Sequence, residues 1–449
     1  MTNILEKAAK QKTVSVIGLG RLGIPICLVF ASFGYKVIAF DIDEKKIHLL
    51  NQGKIDLYEV GVDHFLKQYK GNLVFTTNFK EAIKNSNITF IVVPTPSLKD
   101  GSFSVGCILD VCQEIGKIIK QKKNRHLIVI TSTVSPTSIE KRIIPYLEKI
   151  TMKRVGIDFG LCYSPEFIAL GSVIKNLTYP DFIIIGESDK KSGEMLSCIR
   201  KSICFNNPPV VRTNFINAEL IKIAFNCYST TKISFANMIA RICEKNPGAD
   251  TDTITSTLGL TSIIGNRCFT GAIGYGGPCL PRDNLAFNHF IKSLSLSINL
   301  PSIIDKLNKT QAIFLKNTIY KHVNKKSIVG FLGLSYKPDT SAVDESPAIL
   351  LIKELINDGF SIIAYDPAAI NNAKLILGEK VRFAHSTLDC IRQSDIIVII
   401  VPWPEFKNIK ISDLQRHGNP RVVIDCWRIL KYRGEVNVKY IALGRYITQ

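Results

Sequence analysis

At 449 residues the chain has room for two to four domains. Its 46% hydrophobic and 21% charged residues are ordinary for a globular protein in water, and they exclude a disordered or fibrous chain. The 12 cysteines form no C-x-x-C pair and no Cys/His cluster, which argues against a disulfide framework and against a metal site.

No apolar run approaches the roughly 18 residues of a membrane span. Residues 1–12 are polar and lack a signal-peptide core, so membrane insertion is not expected and a cytoplasmic location is. The net charge of +19 leaves three classes of partner: nucleic acid, an anionic membrane surface, or an anionic small substrate. The basic runs Lys120–Arg125 and Lys321–Lys326 each precede a strand-like segment and read as solvated turns. Basic and aromatic residues are not interleaved, so a nucleic-acid partner is not expected.

In chain order, Val14-Ser15-Val16-Ile17 is a β-rich run followed by Gly18-Leu19-Gly20-Arg21-Leu22-Gly23 and an apolar helical stretch to Phe33. Tyr35–Phe40 is a second strand ending at Asp41. Strand, glycine turn, helix, strand and acid form the context that gives a G-x-G-x-x-G match its meaning. The helix N-terminus offers N–H groups to a pyrophosphate. Asp41 is placed to accept from a ribose hydroxyl and to repel a 2′-phosphate, so NAD is expected in preference to NADP.

Strands follow at Ile88–Val93 and Leu127–Ile130, ending at Thr95 and at Ser132-Thr133. Ligands of open parallel sheets bind beyond the carboxyl ends of the strands, which makes Thr95 and Thr133 candidates. Each can equally serve as a turn or cap hydroxyl.

Asn217–Asn246 contains no proline or glycine and predicts one long helix, stopped by Pro247-Gly248. Lys222 and Asn226 lie four apart on one of its faces, either as chemistry or as a solvated polar face. With apolar positions among them Leu220, Ala224, Cys227, Met238 and Ile242, it is long enough to bridge two domains or to pack against a second copy.

Gly274-Tyr275-Gly276-Gly277-Pro278-Cys279-Leu280-Pro281-Arg282-Asp283 follows. Glycines permit close approach of backbone to a ligand, and a thiolate held there is a strong nucleophile. The alternative is a glycine turn beside a buried, inert cysteine. The last third repeats the opening pattern. Ser327–Gly333 and Ser361–Asp366 are strand-like, and Ser394–Pro404 (SDIIVIIVPWP) echoes Ser86–Pro96 (SNITFIVVPTP). The fold expected is α/β, with two doubly wound domains joined by a helical region containing one long helix. The second glycine turn lacks its third glycine, so a second dinucleotide site of the same kind is not expected.

These motifs together resemble the UDP-glucose/GDP-mannose dehydrogenase family, nearest in pattern to UDP-glucose 6-dehydrogenases. The resemblance runs through Ser132-Thr133-Val134, Ser164-Pro165-Glu166-Phe167, Ala218-Glu219-Leu220-Ile221-Lys222, the glycine–cysteine stretch and Gly333-Leu334-Ser335-Tyr336-Lys337-Pro338-Asp339-Thr340. It implies a nucleophile at Cys279 and a pair, Lys222 and Asn226, that stabilises negative charge at the reacting carbon. It also implies water-handling groups at Asp283, Thr133 and Glu166. NAD would be held by Gly18, Leu19, Gly20, Arg21, Leu22, Gly23, Asp41, Lys46, Thr95 and Thr133.

The nucleotide sugar would contact Glu166, Phe167, Ile168, Lys222, Asn226, Tyr275, Gly276, Tyr336, Lys337 and Arg428. Residues 270–276 would wrap the sugar. The implied domains are residues 1–212 for NAD, 213–315 for the helical region and dimer contact, and 316–449 for the UDP-sugar. The implied partners are a nucleotide sugar, UDP-linked by preference, and a second copy of the chain. The implied reaction is four-electron oxidation at C6 to a uronic acid in polysaccharide biosynthesis.

The chain departs from the family pattern at Leu170, where an acid is common, and at Asp344, where an arginine is usual. It departs again at Thr270 and Ile263, where basic residues are expected, and at Trp427-Arg428, where the family can show two arginines. UDP-N-acetylhexosamines and GDP-mannose are therefore alternative substrates. A two-electron β-hydroxyacid dehydrogenase is the competing enzyme class, and a binding protein for nucleic acid the competing non-enzymatic one.

Overall fold

The computed structural model describes residues 13–324, 326–416, 418, 420–431 and 437–446. It divides into two compact units, Met1–Ala224 and Phe225–Gln449.

The first unit is built on an eight-stranded sheet. Its strands are β1 (Thr13–Ile17), β2 (Lys36–Phe40), β3 (Leu73–Thr76), β4 (Ile88–Ile91), β5 (Leu127–Ile130), β6 (Gly160–Tyr163), β7 (Ile183–Glu187) and β8 (Val210–Thr213). The order is β3-β2-β1-β4-β5-β6-β7-β8. All pairs are parallel except β6 with β7, where Cys162 faces Glu187 and Tyr163 faces Gly186. Helices cover both faces, which is why β4 and β5 are fully buried and, Thr89 apart, apolar.

One polar thread crosses this core. The Ser15 hydroxyl meets Ser86 at 2.9 Å and Thr89 at 2.7 Å, and Thr89 meets His126 Nε2 at 2.8 Å. Lys122 Nζ lies 3.1 Å from His126 Nδ1 and donates to the carbonyls of Ile83 and Ser86. Arg125 pairs with Asp189 at 2.6 Å. The Lys120–Arg125 run is thus only partly solvated: two of its cations close the bottom of the sheet.

The second unit carries a six-stranded, all-parallel sheet. Its strands are β9 (Ile328–Leu332), β10 (Ser361–Tyr365), β11 (Arg382–Phe383), β12 (Ile396–Ile399), β13 (Arg421–Asp425) and β14 (Val438–Ala442), in the order β11-β10-β9-β12-β13-β14. The helices Thr251–Gly259, Leu280–Ser293 and Leu300–Tyr320 belong to this unit. The long helix runs from Phe215 to Cys243, 29 residues or about 44 Å, and the boundary between the units falls inside it. It stops short of the Pro247-Gly248 breaker. The architecture is two parallel-sheet, Rossmann-like α/β domains with a helical region between them in sequence.

Candidate active site

The first glycine turn shows three different reasons for glycine. At Gly18 (φ +96°) a Cβ would sit 2.6 Å from the Val92 carbonyl, and at Gly23 it would sit 1.9 Å from the Gly18 carbonyl. Gly18 therefore makes the turn, and Gly23 lets the helix Gly23–Ser32 close on it. At Gly20 a Cβ would meet nothing within 4 Å among the described residues. That open side is where a pyrophosphate fits against the helix N-terminus, so the cradle suits NAD. Arg21 is exposed and Leu22 half-buried there, while the Leu19 side chain lies in the core.

Asp41, at the end of β2, accepts from Leu19 N–H at 2.8 Å, from Asp43 N–H at 3.0 Å and from Lys46 Nζ at 3.0 Å. Burial alone would raise its pKa. The N–H groups of Asp43 and Leu19 and the Lys46 ammonium outweigh that and hold the carboxyl below its ordinary value.

Beyond β4 and β5, the Thr95 hydroxyl donates to the Thr133 carbonyl at 2.8 Å, and Thr133 itself is half-buried. The turn continues to Thr137 (φ +72°), whose N–H, with that of Ile139, donates to the Glu219 carboxylate at 2.6 and 2.9 Å. Glu219 is fully buried, and burial, only partly offset by these N–H groups, raises its pKa to about 7. One turn further along the same helix, Lys222 is also buried. Its Nζ donates to the Glu166 carbonyl at 2.8 Å and lies 4.9 Å from the Phe167 ring centroid.

The Glu166 carboxylate points elsewhere: Arg200 holds both its oxygens, the Nη2–Oε2 bond being 2.8 Å. Ile168 and Leu170 pack on the apolar core, so the departure at Leu170 fills a hydrophobic contact.

In the second unit Asn226 Nδ2 donates to Asp283 Oδ2 at 2.5 Å, and both side chains are buried. Asp283 stands one turn along the helix Leu280–Ser293, whose N-cap residue is Cys279. Cys279 is exposed, which removes the buried, inert alternative. A helix N-terminus favours a thiolate.

The stretch leading to Cys279 is clamped along its backbone. Asn237 accepts from Ala272 N–H at 2.8 Å and donates to the Ile273 carbonyl at 2.7 Å. Asn308 does the same to Tyr275, at 2.8 and 2.9 Å. The Tyr275 hydroxyl is buried against Asn284 at 2.8 Å, so its ring faces inward.

The glycines here make room for protein. A Cβ at Gly274 would lie 2.7 Å from Asn308 Oδ1, one at Gly276 2.2 Å from the Glu345 carbonyl, and one at Gly277 2.7 Å from the Tyr336 ring. Tyr336 and Lys337 are half-buried beside this stretch. Asp344 contributes its carbonyl to Gly277 N–H at 2.9 Å, while Thr270 and Ile263 are exposed.

Arg428 (φ +57°) has a buried side chain. It bonds Asp252 through two nitrogens, at 2.7 and 2.8 Å, and donates to the carbonyls of Cys426, Leu443 and Gly271. These bonds occupy all five of its donors. At the second glycine turn Asp366 is equally saturated: it accepts from the N–H groups of Leu334, Ser335, Ala368 and Ala369 and from Trp403 Nε1. It has no role left at a ribose.

Sequence reasoning missed Asn237, Asn308 and Arg200. The signal for the asparagines was a poor helix former inside long helical stretches, which alone does not separate a buried clamp from a solvated amide.

Three family models match the chain. They are the NAD-binding domain of the UDP-glucose/GDP-mannose dehydrogenase family at residues 12–204, its central domain at 216–310 and its UDP-binding domain at 330–432. A UDP-glucose 6-dehydrogenase from Haloferax volcanii is 32% identical over 423 residues, 94% of this chain and 97% of that protein. A GDP-mannose 6-dehydrogenase from Pseudomonas aeruginosa is 33% identical over 402 residues, 86% of this chain and 90% of that one. A solved UDP-glucose dehydrogenase from Pyrobaculum islandicum, 28% identical, superposes with a TM-score of 0.86 over 96% of this chain and 98% of that one. This chain belongs to the UDP-glucose/GDP-mannose dehydrogenase family and is an NAD-dependent nucleotide-sugar dehydrogenase.

Proposed function

We propose that the chain oxidises the C6 carbinol of a UDP-sugar, UDP-glucose in the first place, to the uronic acid in two two-electron steps. The observation that carries this reading is Cys279. It is exposed at the start of a helix, on a stretch clamped by Asn237 and Asn308, with Asp283 one turn on and held by Asn226. NAD, when bound, takes up the hydride released in each oxidation.

Loss of hydride and proton from the alcohol leaves an aldehyde. The Cys279 thiolate adds to its carbon and forms a thiohemiacetal, which keeps the aldehyde from escaping. Loss of a second hydride gives a thioester. Water then adds, the C–S bond breaks, and carboxylate and thiol are released. Lys222 and Asn226 would stabilise the oxyanion at each stage, a role worth about 3–4 kcal/mol per aimed donor. Asp283 and Thr133 would handle the water. Glu166, its carboxylate paired with Arg200, would share that role. Residues 1–212 would serve the cofactor, 213–315 the chemistry and 316–449, with Tyr336 and Lys337, the nucleotide sugar.

The test is product stoichiometry with purified protein. Two NADH per UDP-glucose consumed is expected. One NADH, with a ketone or aldehyde released, would favour a two-electron β-hydroxyacid type of dehydrogenase. The similarity to a GDP-mannose 6-dehydrogenase favours one second reading of the substrate. A panel of UDP-glucose, UDP-N-acetylhexosamines and GDP-mannose, ranked by kcat/KM, decides between them.

A further inference from the structure

Asn284 joins the long helix to the loop that leads to Cys279. Its amide nitrogen donates to Thr230 Oγ1 at 3.0 Å and to the Tyr275 hydroxyl at 2.8 Å, which uses both of its N–H bonds. The three side chains are buried, Thr230 to 0% exposure, Asn284 to 1% and Tyr275 to 7%.

We propose that Asn284 is a positioning residue. It holds the span from Tyr275 to Asn284, with Cys279 inside it, against the long helix, so that the thiol and the Asp283 carboxylate keep one arrangement through both oxidations. The proposal rests on the role given to Cys279 above.

Asp283 and Asn284 are neighbours on the helix Leu280–Ser293, and they reach Asn226 and Thr230, one turn apart on the long helix. Two turns beyond Thr230, Asn237 holds Ala272 and Ile273. The long helix thus sets the register of three segments around Cys279.

Tyr275 is gripped twice, by Asn308 at its backbone and by Asn284 at its hydroxyl. Between Tyr275 and Cys279 lie Gly276, Gly277 and Pro278, and the freedom of two glycines has to be limited from outside. The Asp344 carbonyl limits it at Gly277 N–H. Asn284 limits it at Tyr275 and ties that end to the helix that carries Asp283. A leucine would fill nearly the same volume without fixing a direction, so what the amide supplies is orientation.

The test uses the full-length protein with saturating NAD and UDP-glucose, or the panel sugar that turns over. Asn284→Leu should lower kcat by ~10–100-fold, the scale of a 1 Å misplacement, with KM for the sugar within about threefold. Labelling with iodoacetamide, mapped by peptide mass, separates positioning from collapse. Cys279 is exposed and should react within about twofold of the parental rate, while Cys227, buried on the long helix, should stay protected. The double variant Thr230→Val/Asn284→Leu replaces two bonded polar groups with apolar ones of similar shape, so its melting temperature should return toward the parental value. Its kcat should stay within about threefold of the single variant. If Asn284→Leu fails to fold, the double variant is compared with the parent by the same readouts.

Parental kcat in Asn284→Leu overturns the proposal. So does labelling of Cys227 that rises as kcat falls, or a double variant whose kcat recovers with its melting temperature, since either would make the cluster a support of the fold alone. Cys279→Ser separates the two claims. If it still makes acid at the parental rate, the reading of Cys279 falls and takes this proposal with it. If it makes none while Asn284→Leu turns over normally, only the proposal about Asn284 falls.

Discussion

Cys279 follows a stretch whose backbone is clamped by the side-chain amides of Asn237 and Asn308. Cys279→Ser should abolish acid formation and leave nucleotide-sugar binding within about twofold, because a neutral serine hydroxyl is a far poorer nucleophile than a cysteine thiolate. Uronic acid made at the parental rate would show that another group is the nucleophile. Asn308→Asp keeps the acceptor for Tyr275 N–H but replaces the donor to its carbonyl with a second oxygen. We expect kcat to fall by ~10-fold with NAD affinity unchanged, read by steady-state kinetics beside a direct NAD titration.

At this scale the sequence made Cys279, Asp283, Lys222 and Asn226 legible as candidates, because their types and spacing carry chemistry. It left Arg200, Asn237 and Asn308 hidden, because an arginine or amide shows its partner only once distant segments meet. The glycine-rich stretch was legible as special, but for the wrong physical reason: its glycines accommodate Asn308, Glu345 and Tyr336.

Among the elements, the first glycine turn and β2 are expected to set cofactor choice together. Asp41 occupies Lys46, and Asp41→Ser would release that ammonium for a 2′-phosphate. The ratio of kcat/KM for NADP to that for NAD should rise at least ~10-fold in this variant. An unchanged ratio would place the discrimination elsewhere.

Two buried titrating groups in the first unit pull stability in opposite directions. Burial and the neighbouring Lys122 hold the His126 pKa down at about 3, against 6.5 ordinarily. Between those values the unfolded chain takes up a proton that the folded one refuses, so stability falls as pH drops through the window. Glu219 is raised from 4.5 to about 7, so its contribution is full below 4.5 and is lost as pH rises through 7. The two slopes overlap between about 4.5 and 6.5, each limited to about 1.4 kcal/mol per pH unit, and should largely cancel. His126→Asn should unmask a melting temperature that falls from pH 4.5 to 7.5. Glu219→Gln should unmask one that rises over the lower part of that range. Parallel profiles in the two variants would refute the assignment.

For the molecule as a whole, the repeated strand-and-proline motif made both sheets legible, since parallel strands covered on both faces must be continuously apolar. The antiparallel β6–β7 pair was not legible, because strand direction leaves no mark on a short apolar run. On the long helix, Phe225, Tyr228, Phe235, Met238 and Ile242 are exposed at helical spacing, and we expect this face to pair with a second copy of the chain. Light scattering should give a homodimer for the parent protein and a monomer for Tyr228→Glu. An active parental monomer at working concentration would rule the interface out.

The crowded glycines beside Cys279 also change what a mutational survey of this protein would measure. Alanine at Gly274, Gly276 or Gly277 has to push aside a side-chain amide, a main-chain carbonyl or an aromatic ring, with or without sugar present. Inactive variants there would report misassembly of the loop. Gly20, where an added Cβ would meet nothing within 4 Å among the described residues, is the glycine at which a lost methyl-sized space would register as a cofactor defect in a properly folded enzyme. Scored by abundance as well as activity, such a survey would separate the two groups of glycines that a one-dimensional motif lumps together.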